Sequence, residues 1–299
     1  MRAYAKMGVL PYFIKRVSVG LIKRQSNMAI YQDVRRRVDV ILQKKYAGLL
    51  DELIASTENI ESETAENKVW FCWFQGIDVA PDIVKSCLVS QKKFLKGKKI
   101  VVVDLKNYSQ YCEIPQDIVE KYKKGIIPAA TFSDILRLEL LIAHGGTWAD
   151  ATVLLTSDQY PREILSSDLF AFQYLDSRGR GNGISSWFLS SSKNNRFLII
   201  LREMMYQYWR DYDCLVEYFI FHLFFNMIGK RFPEVMAQMP KMNSARAIRL
   251  QNYLQLPAKP SVWERLTADI PIHKLTYRLS KDVLEDEGNV YHQILKMYR

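Results

Sequence analysis

Cysteine and histidine are both scarce in this sequence. The four cysteines among its 299 residues (Cys72, Cys87, Cys112 and Cys214) fall in no CxxC or CxxH spacing and are too few for a disulfide framework in a chain of this length. The four histidines (His144, His222, His273 and His292) are scattered, so no compact Cys/His zinc site is written in the sequence. A reducing, cytoplasmic compartment is the simplest expectation. Long apolar runs are missing too. The nearest, Tyr218 to Ile228, is interrupted by His222 and Asn226 and falls well short of the ~18–20 residues that span a bilayer. The N-terminal residues lack the continuous apolar core and small-residue cleavage site of a secretory signal, and none is expected. No internal repeat is visible. With 48% hydrophobic and 25% charged residues, the chain has the balance of an ordinary globular protein, enough for one large domain or two small ones.

Positive charge is present and unevenly placed. Residues 1–45 carry eleven Lys/Arg against Asp33 and Asp39, so this segment holds +9 of the formal net charge of +10. A near-neutral body with a basic N-terminal arm weighs against a nucleic-acid binder, whose charge would line a groove or face of the fold, and no nucleic-acid partner is expected. Residues 9–23 mix large apolar with cationic side chains. Such a segment can lie on an anionic membrane surface, or it can simply be a helix packed on the body. Residues 55–67 are polar and acidic and read as a linker. They divide a basic, helical N-terminal region (1–60) from a main domain (66–299).

Beyond the linker the pattern alternates. Lys68 to Phe74 and Lys99 to Asp104 read as buried strands, with a helix opened by Pro81 between them. Thr131 to His144 reads as a helix stopped by Gly145-Gly146. Trp148 to Leu155 follows as strand and turn, Leu169 to Tyr174 as a strand and Trp187 to Leu189 as a short strand. Two apolar helices are expected over 194–210 and 213–229. Strands alternating with helices imply an α/β fold with a largely parallel sheet.

The chemistry concentrates in residues 133–152, a helix with Asp134 and Arg137, a glycine pair, then a short strand ending at Asp150. Ligands of open α/β sheets sit at the carboxyl ends of strands. A carboxylate there suits a divalent cation bridging to phosphate, because Mg²⁺ and Mn²⁺ favour hard oxygen ligands. Thr152, two residues on, shares a face with Asp150 if the strand period holds. Bland alternatives stand beside this. Asp134 and Arg137 can be an i,i+3 pair, the glycines a helix stop, and Trp73 and Trp187 plain core aromatics. Asp150 is hardest to dismiss, since an unpaired carboxylate in an apolar strand is costly.

In this order and spacing, several segments together resemble the capsular polysaccharide synthesis family of glycosyltransferases, related to DXD-motif sugar transferases with the GT-A fold. They are Val69 to Gly76, Ser133-Asp134-Ile-Leu-Arg137, Gly145-Gly146-Thr-Trp-Ala-Asp150-Ala-Thr152 and Ile184-Ser-Ser-Trp187-Phe. The resemblance covers about 68–190 well and extends loosely to about 280.

It implies a GT-A-like, Rossmann-type mixed sheet flanked by helices, with helical additions at both ends. It implies transfer from a nucleotide-diphosphate sugar, a UDP-sugar first among them, to a glycan acceptor, a lipid-linked one among the options, in bacterial surface polysaccharide synthesis. Trp73 would stack on the base, Gly76 turn around the nucleotide, Asp134 bond the ribose or sugar, and Arg137 contact sugar or phosphate. Asp150 takes the first motif position, with Thr152 where a second acid usually stands. Gly146, Ser186 and Trp187 would line the donor, and Ser186 replaces the Asn common in relatives. Lys274 would face the leaving diphosphate, and His273 would join Asp150 and Thr152 on Mn²⁺ or Mg²⁺. Asp150 and Arg137 are the expected catalytic pair, and configuration would be retained. The basic arm would hold the enzyme to the inner face of the cytoplasmic membrane. The rivals are a non-catalytic nucleotide-sugar-binding scaffold and a polyanion or nucleic-acid binder acting through the arm.

Overall fold

The computed structural model describes residues 1–175, 177 and 181–299. The chain divides into two compact units, one built from Met1–Ile60, Ile114–Glu139 and Arg196–Pro233, the other from Glu61–Glu113, Leu140–Asn195 and Glu234–Arg299. The N-terminal region therefore does not stand alone; two later segments complete its unit.

In the first unit the helix Asn27–Ser56 buries Ile30, Val34, Val38, Leu42, Tyr46 and Leu50. That is a stripe at i,i+4 spacing, and it packs against the helices Arg196–Asp211 and Ile220–Gly229. Ser26 caps its start through the Ala29 amide, and Arg196 donates to the Ile54 carbonyl at its end, 2.6 Å away. Tyr46 and Lys45 both bind Asp211, at 2.9 and 2.8 Å. The helix expected over 213–229 begins only at Ile220, because residues before it satisfy their backbone through side chains. Val216 N–H donates to Tyr208 Oη, Tyr208 donates to the Cys214 carbonyl, and Glu217 accepts from Phe219 N–H.

In the second unit five strands form a mixed sheet: β1 (Lys68–Cys72), β2 (Lys99–Val103), β3 (Gly146–Ala149), β5 (Leu169–Leu175) and β6 (Gly181–Ser191), in the order β2-β1-β3-β6-β5. The pairs β1–β2 and β1–β3 are parallel, whereas β3–β6 and β5–β6 are antiparallel. The sheet is thus less parallel than the alternation of elements suggests. The strand expected at 187–189 is the end of a longer one that returns antiparallel beside its predecessor, a connection needing no crossover helix. A separate antiparallel pair joins β4 (Val153–Leu155) to β7 (Ile272–Lys274).

Side chains alternate across β1. Val69 and Phe71 enter two apolar clusters of this unit, while Trp70 lies against Tyr111 and His144 and donates to the Gly145 carbonyl at 3.0 Å. The helix Asp82–Phe94 packs on β4 with two buried polar groups that fix its backbone. Gln91 donates to the Val153 carbonyl at 2.9 Å, and Ser90 Oγ accepts from Leu155 N–H at 3.1 Å. The four cysteines form no disulfide.

Candidate active site

The turn between β3 and β4 is held from three sides. Asp150 N–H donates to the Trp187 carbonyl on β6 at 2.8 Å, and Val153 N–H closes the turn on the Asp150 carbonyl at 2.9 Å. Leu275 N–H donates to the Thr152 carbonyl at 2.8 Å, extending the β4–β7 ladder. That ladder sets Lys274 opposite Val153, so the lysine reaches back over the turn. Its ammonium lies 3.2 Å from Asp150 Oδ2 and 2.5 Å from Thr152 Oγ1. The other carboxylate oxygen, Oδ1, accepts from the indole of Trp148 at 2.8 Å. Asp150 and Lys274 are about a quarter exposed, at 26% and 22%, so the pair is reachable from solvent.

Parallel pairing carries β1 to the same sheet edge. Trp70 faces Trp148 in register, which sets Trp73 and Asp150 just past the carboxyl ends of neighbouring strands. Trp73 N–H donates to the Val103 carbonyl, and the Gly76 N–H returns to the Trp73 carbonyl at 2.9 Å. Gly76 sits at φ 89°, ψ 146°, a conformation open in practice to glycine alone. Tyr277, three residues beyond Lys274, meets the Trp73 ring edge-on with centroids 5.1 Å apart.

Three further residues expected at the site bring no side chain to Asp150. Gly146 opens β3, four residues and about 13 Å of strand upstream of Asp150. Its glycine is demanded by the sheet, since a Cβ there would stand 2.5 Å from the Lys68 carbonyl oxygen at φ +91°. The Trp187 ring is buried, stacked on Phe172 with centroids 4.4 Å apart, so only its backbone touches Asp150. His273 follows from strand alternation. With Lys274 turned to Asp150, its neighbour faces the other way, fully buried, with Nε2 3.3 Å from Thr156 Oγ1. Burial pulls its pKa down to about 4, so it is neutral. Ser186, two residues before the one paired with Ala149, is buried at the Asp150 edge of β6.

Asp134 and Arg137 belong to the first unit. They pair at 2.5 Å on the helix Ala129–His144, with the guanidinium over the Phe221 ring at 5.7 Å. Two residues on, Glu139 is buried and bonded to Tyr206 and Arg202, and burial raises its pKa. His222 is pushed down to about 3 by burial and by the charges of Arg137 and Arg35.

Among the described residues, the donor set around Asp150 is occupied by an ammonium and is not open to a divalent cation. It offers one carboxylate, already shared between an indole N–H and an ammonium, and one hydroxyl that accepts from the same ammonium. Among the described residues no three His, Cys, Asp or Glu side chains stand together as metal ligands. The chemistry of these donors is that of a cation site filled by Lys274.

The sequence profile of the family described as "Capsular polysaccharide synthesis protein" matches residues 19–294. The chain belongs to this family. The match takes in both units, including most of the basic segment. Among individual relatives of this capsular polysaccharide synthesis family member, the O-glycosyltransferase PaGT of Phomopsis amygdali is 25% identical over 177 residues. That alignment covers 54% of this chain and 43% of PaGT, so less than half of the relative's length is spanned. Among solved structures, PaToxG Glycosyltransferase aligns with a TM-score of 0.41 at 13% identity, covering 87% of this chain and 97% of the other.

Two contributors in this family member escaped the sequence reading. Trp148 was legible in principle, because residues i and i+2 of a strand share a face and an indole N–H seeks an acceptor. Tyr277 carried no local signal; the β4–β7 pairing across more than a hundred residues brings its loop to Trp73.

Proposed function

We propose that the protein is a glycosyltransferase that takes a sugar from a nucleoside-diphosphate donor, a UDP-sugar by expectation, and passes it to a glycan hydroxyl in surface polysaccharide synthesis. One observation carries the reading: Asp150, Thr152 and Lys274 meet at the carboxyl end of β3, beside the strand end that bears Trp73. A solvent-reachable cation there suits a diphosphate, and an aromatic ring there suits a nucleobase. Family membership supports the same chemistry, and the relative named an O-glycosyltransferase accords with a hydroxyl acceptor. The reading rests on the second unit alone.

In the proposed reaction the bond between the anomeric carbon and the diphosphate oxygen breaks, its electron pair leaving with the phosphate. The acceptor oxygen bonds to the anomeric carbon, and its proton passes to the departing phosphate oxygen, retaining configuration. Charge growing on the diphosphate is what the site must stabilise. In the proposed reaction Lys274, whose ammonium already occupies Asp150 and Thr152, supplies positive charge at the phosphate.

The test is a calorimetric titration of the full chain with UDP, GDP, CDP and CMP, followed by a transfer assay with the sugar of the nucleotide that binds. Binding of one nucleoside diphosphate, lost in Trp73→Ala, is expected. Silence across the panel from folded protein sinks the reading, and binding without turnover of donor points to the scaffold alternative. A membrane location is a second part of the proposal. The helix Leu10–Ile22 exposes Ile14, Leu21 and Ile22 beside Lys15 and Lys23, the mix that an anionic leaflet attracts.

A further inference from the structure

We infer that Lys274 is the built-in counter-ion of the donor diphosphate, so that the enzyme binds its nucleotide without a divalent metal. This deepens the donor reading above and rests on it. Three observations point to it. The ammonium sits where a motif-bound cation would, within contact of Asp150 Oδ2 and Thr152 Oγ1. Asp150 is itself fixed, its Oδ1 held by the Trp148 indole and its N–H by the Trp187 carbonyl. The lysine is delivered by a strand ladder, with Leu275 N–H on the Thr152 carbonyl and Lys274 in register with Val153, not by a loose loop.

The replacement of a second motif acid by Thr152 then has a physical reason. Two carboxylates flanking one ammonium would leave a net negative site facing a diphosphate. One carboxylate and one hydroxyl balance the ammonium within this trio, and the lysine's remaining N–H can turn to phosphate oxygens. Asp150 in this arrangement is a positioning residue: it holds the ammonium at the strand end and touches no substrate. Lys274 is the binding residue. As the anomeric carbon–oxygen bond breaks and the electron pair moves onto the diphosphate, the fixed positive charge stabilises it in place of a metal ion.

Calorimetry with the nucleoside diphosphate that binds tests this, on the full chain, in EDTA and then with Mn²⁺ in excess. The dissociation constant is expected to stay within about twofold between the two conditions. Lys274→Met is expected to weaken binding roughly 10- to 100-fold, the scale of a charge-assisted bond to phosphate, and Lys274→Arg to recover part of it. Asp150→Asn, which still offers Nζ an acceptor, is expected to cost less than Lys274→Met. Thermal unfolding of each variant keeps folding separate from binding. Nucleotide binding that disappears in EDTA and returns with Mn²⁺ overturns the inference while leaving the donor reading intact. An Asp150→Asn loss exceeding that of Lys274→Met overturns it as well. No nucleotide binding under either condition overturns the donor reading, and this inference falls with it.

Discussion

The indole Nε1 of Trp148 donates to Asp150 Oδ1 at 2.8 Å from two residues upstream. Trp148 is otherwise a buried core residue in register with Trp70, so one side chain both packs the sheet and aims the carboxylate at its edge. Trp148→Phe keeps an aromatic ring and removes the donor. A hydrogen bond to a charged acceptor is worth about 1.5–3 kcal/mol to the fold, and nucleotide affinity should fall by less than in Lys274→Met, because Trp148 acts only through Asp150. Smaller volume adds a Tm loss of ~2–4 °C per kcal/mol for a chain of this size. The two readouts separate the roles: a lowered Tm with unchanged nucleotide affinity would leave Trp148 a packing residue only.

Gly146 makes a prediction of pure sterics. At φ +91°, with Lys68 O 2.5 Å from where a Cβ would stand, Gly146→Ala must push apart the β1–β3 pair inside the sheet. The backbone penalty of about 1–2 kcal/mol and an overpacking cost of about 1–3 kcal/mol should appear together. Gly125→Ala is the control, with φ +70° and nothing within 4 Å, and should show the backbone cost alone. Urea unfolding of both variants measures the difference. Equal midpoints would remove the close approach as the reason for this glycine.

Much of this fold is legible locally. Lys68 to Cys72 and Lys99 to Val103 are strands because apolar, β-branched and aromatic runs bounded by polar residues have few other ways to be buried. The helix before Gly145 ends where a left-handed glycine stops it. What was not legible depends on long-range pairing. Nothing near Gly146 says that its role is to clear Lys68. The order Ile272-His273-Lys274 names two candidates, and only the register with Val153 shows which of them faces Asp150. Trp187 carried the same ambiguity, and Phe172, fifteen residues earlier on the antiparallel neighbour, resolves it toward the core. The basic arm looked separable by charge alone. Its i,i+4 stripe from Ile30 to Leu50 ties it into a helical core, and several of its cations are already paired, Arg16 with Asp33 and Lys45 with Asp211.

That tie changes how the membrane proposal should be tested. Deleting residues 1–45 would remove most of the stripe and unfold its unit, so loss of vesicle binding would mean little. Leu21 and Ile22, 74% and 82% exposed, can be changed without touching it. The double variant Leu21→Ser, Ile22→Ser should keep the wild-type Tm. Its partition onto phosphatidylserine vesicles should weaken about tenfold or more, given ~1.5–3 kcal/mol for each large apolar side chain fully buried. Wild-type binding should also fall as salt is raised and be weak on uncharged vesicles. Equal binding by the double variant would sink the membrane role of this helix.

His273 gives the pH dependence. Its neutral ring is fully buried beside Thr156, and burial alone lowers its pKa to about 4 from an ordinary value near 6.5. Between these values the unfolded chain binds a proton that the folded one refuses. The stability tied to the neutral ring is therefore complete above about pH 6.5 and is lost as pH falls toward 4. The full swing for this depression is roughly 3 kcal/mol. His222, driven down to about 3, adds a similar loss that continues to lower pH. His273→Leu removes one of the two titrations, so its unfolding free energy should decline less steeply than wild type from pH 6.5 to 4. Urea unfolding at four or five pH values across that window measures both slopes. Parallel curves would mean that the His273 ring takes up its proton in the folded state at an ordinary pH.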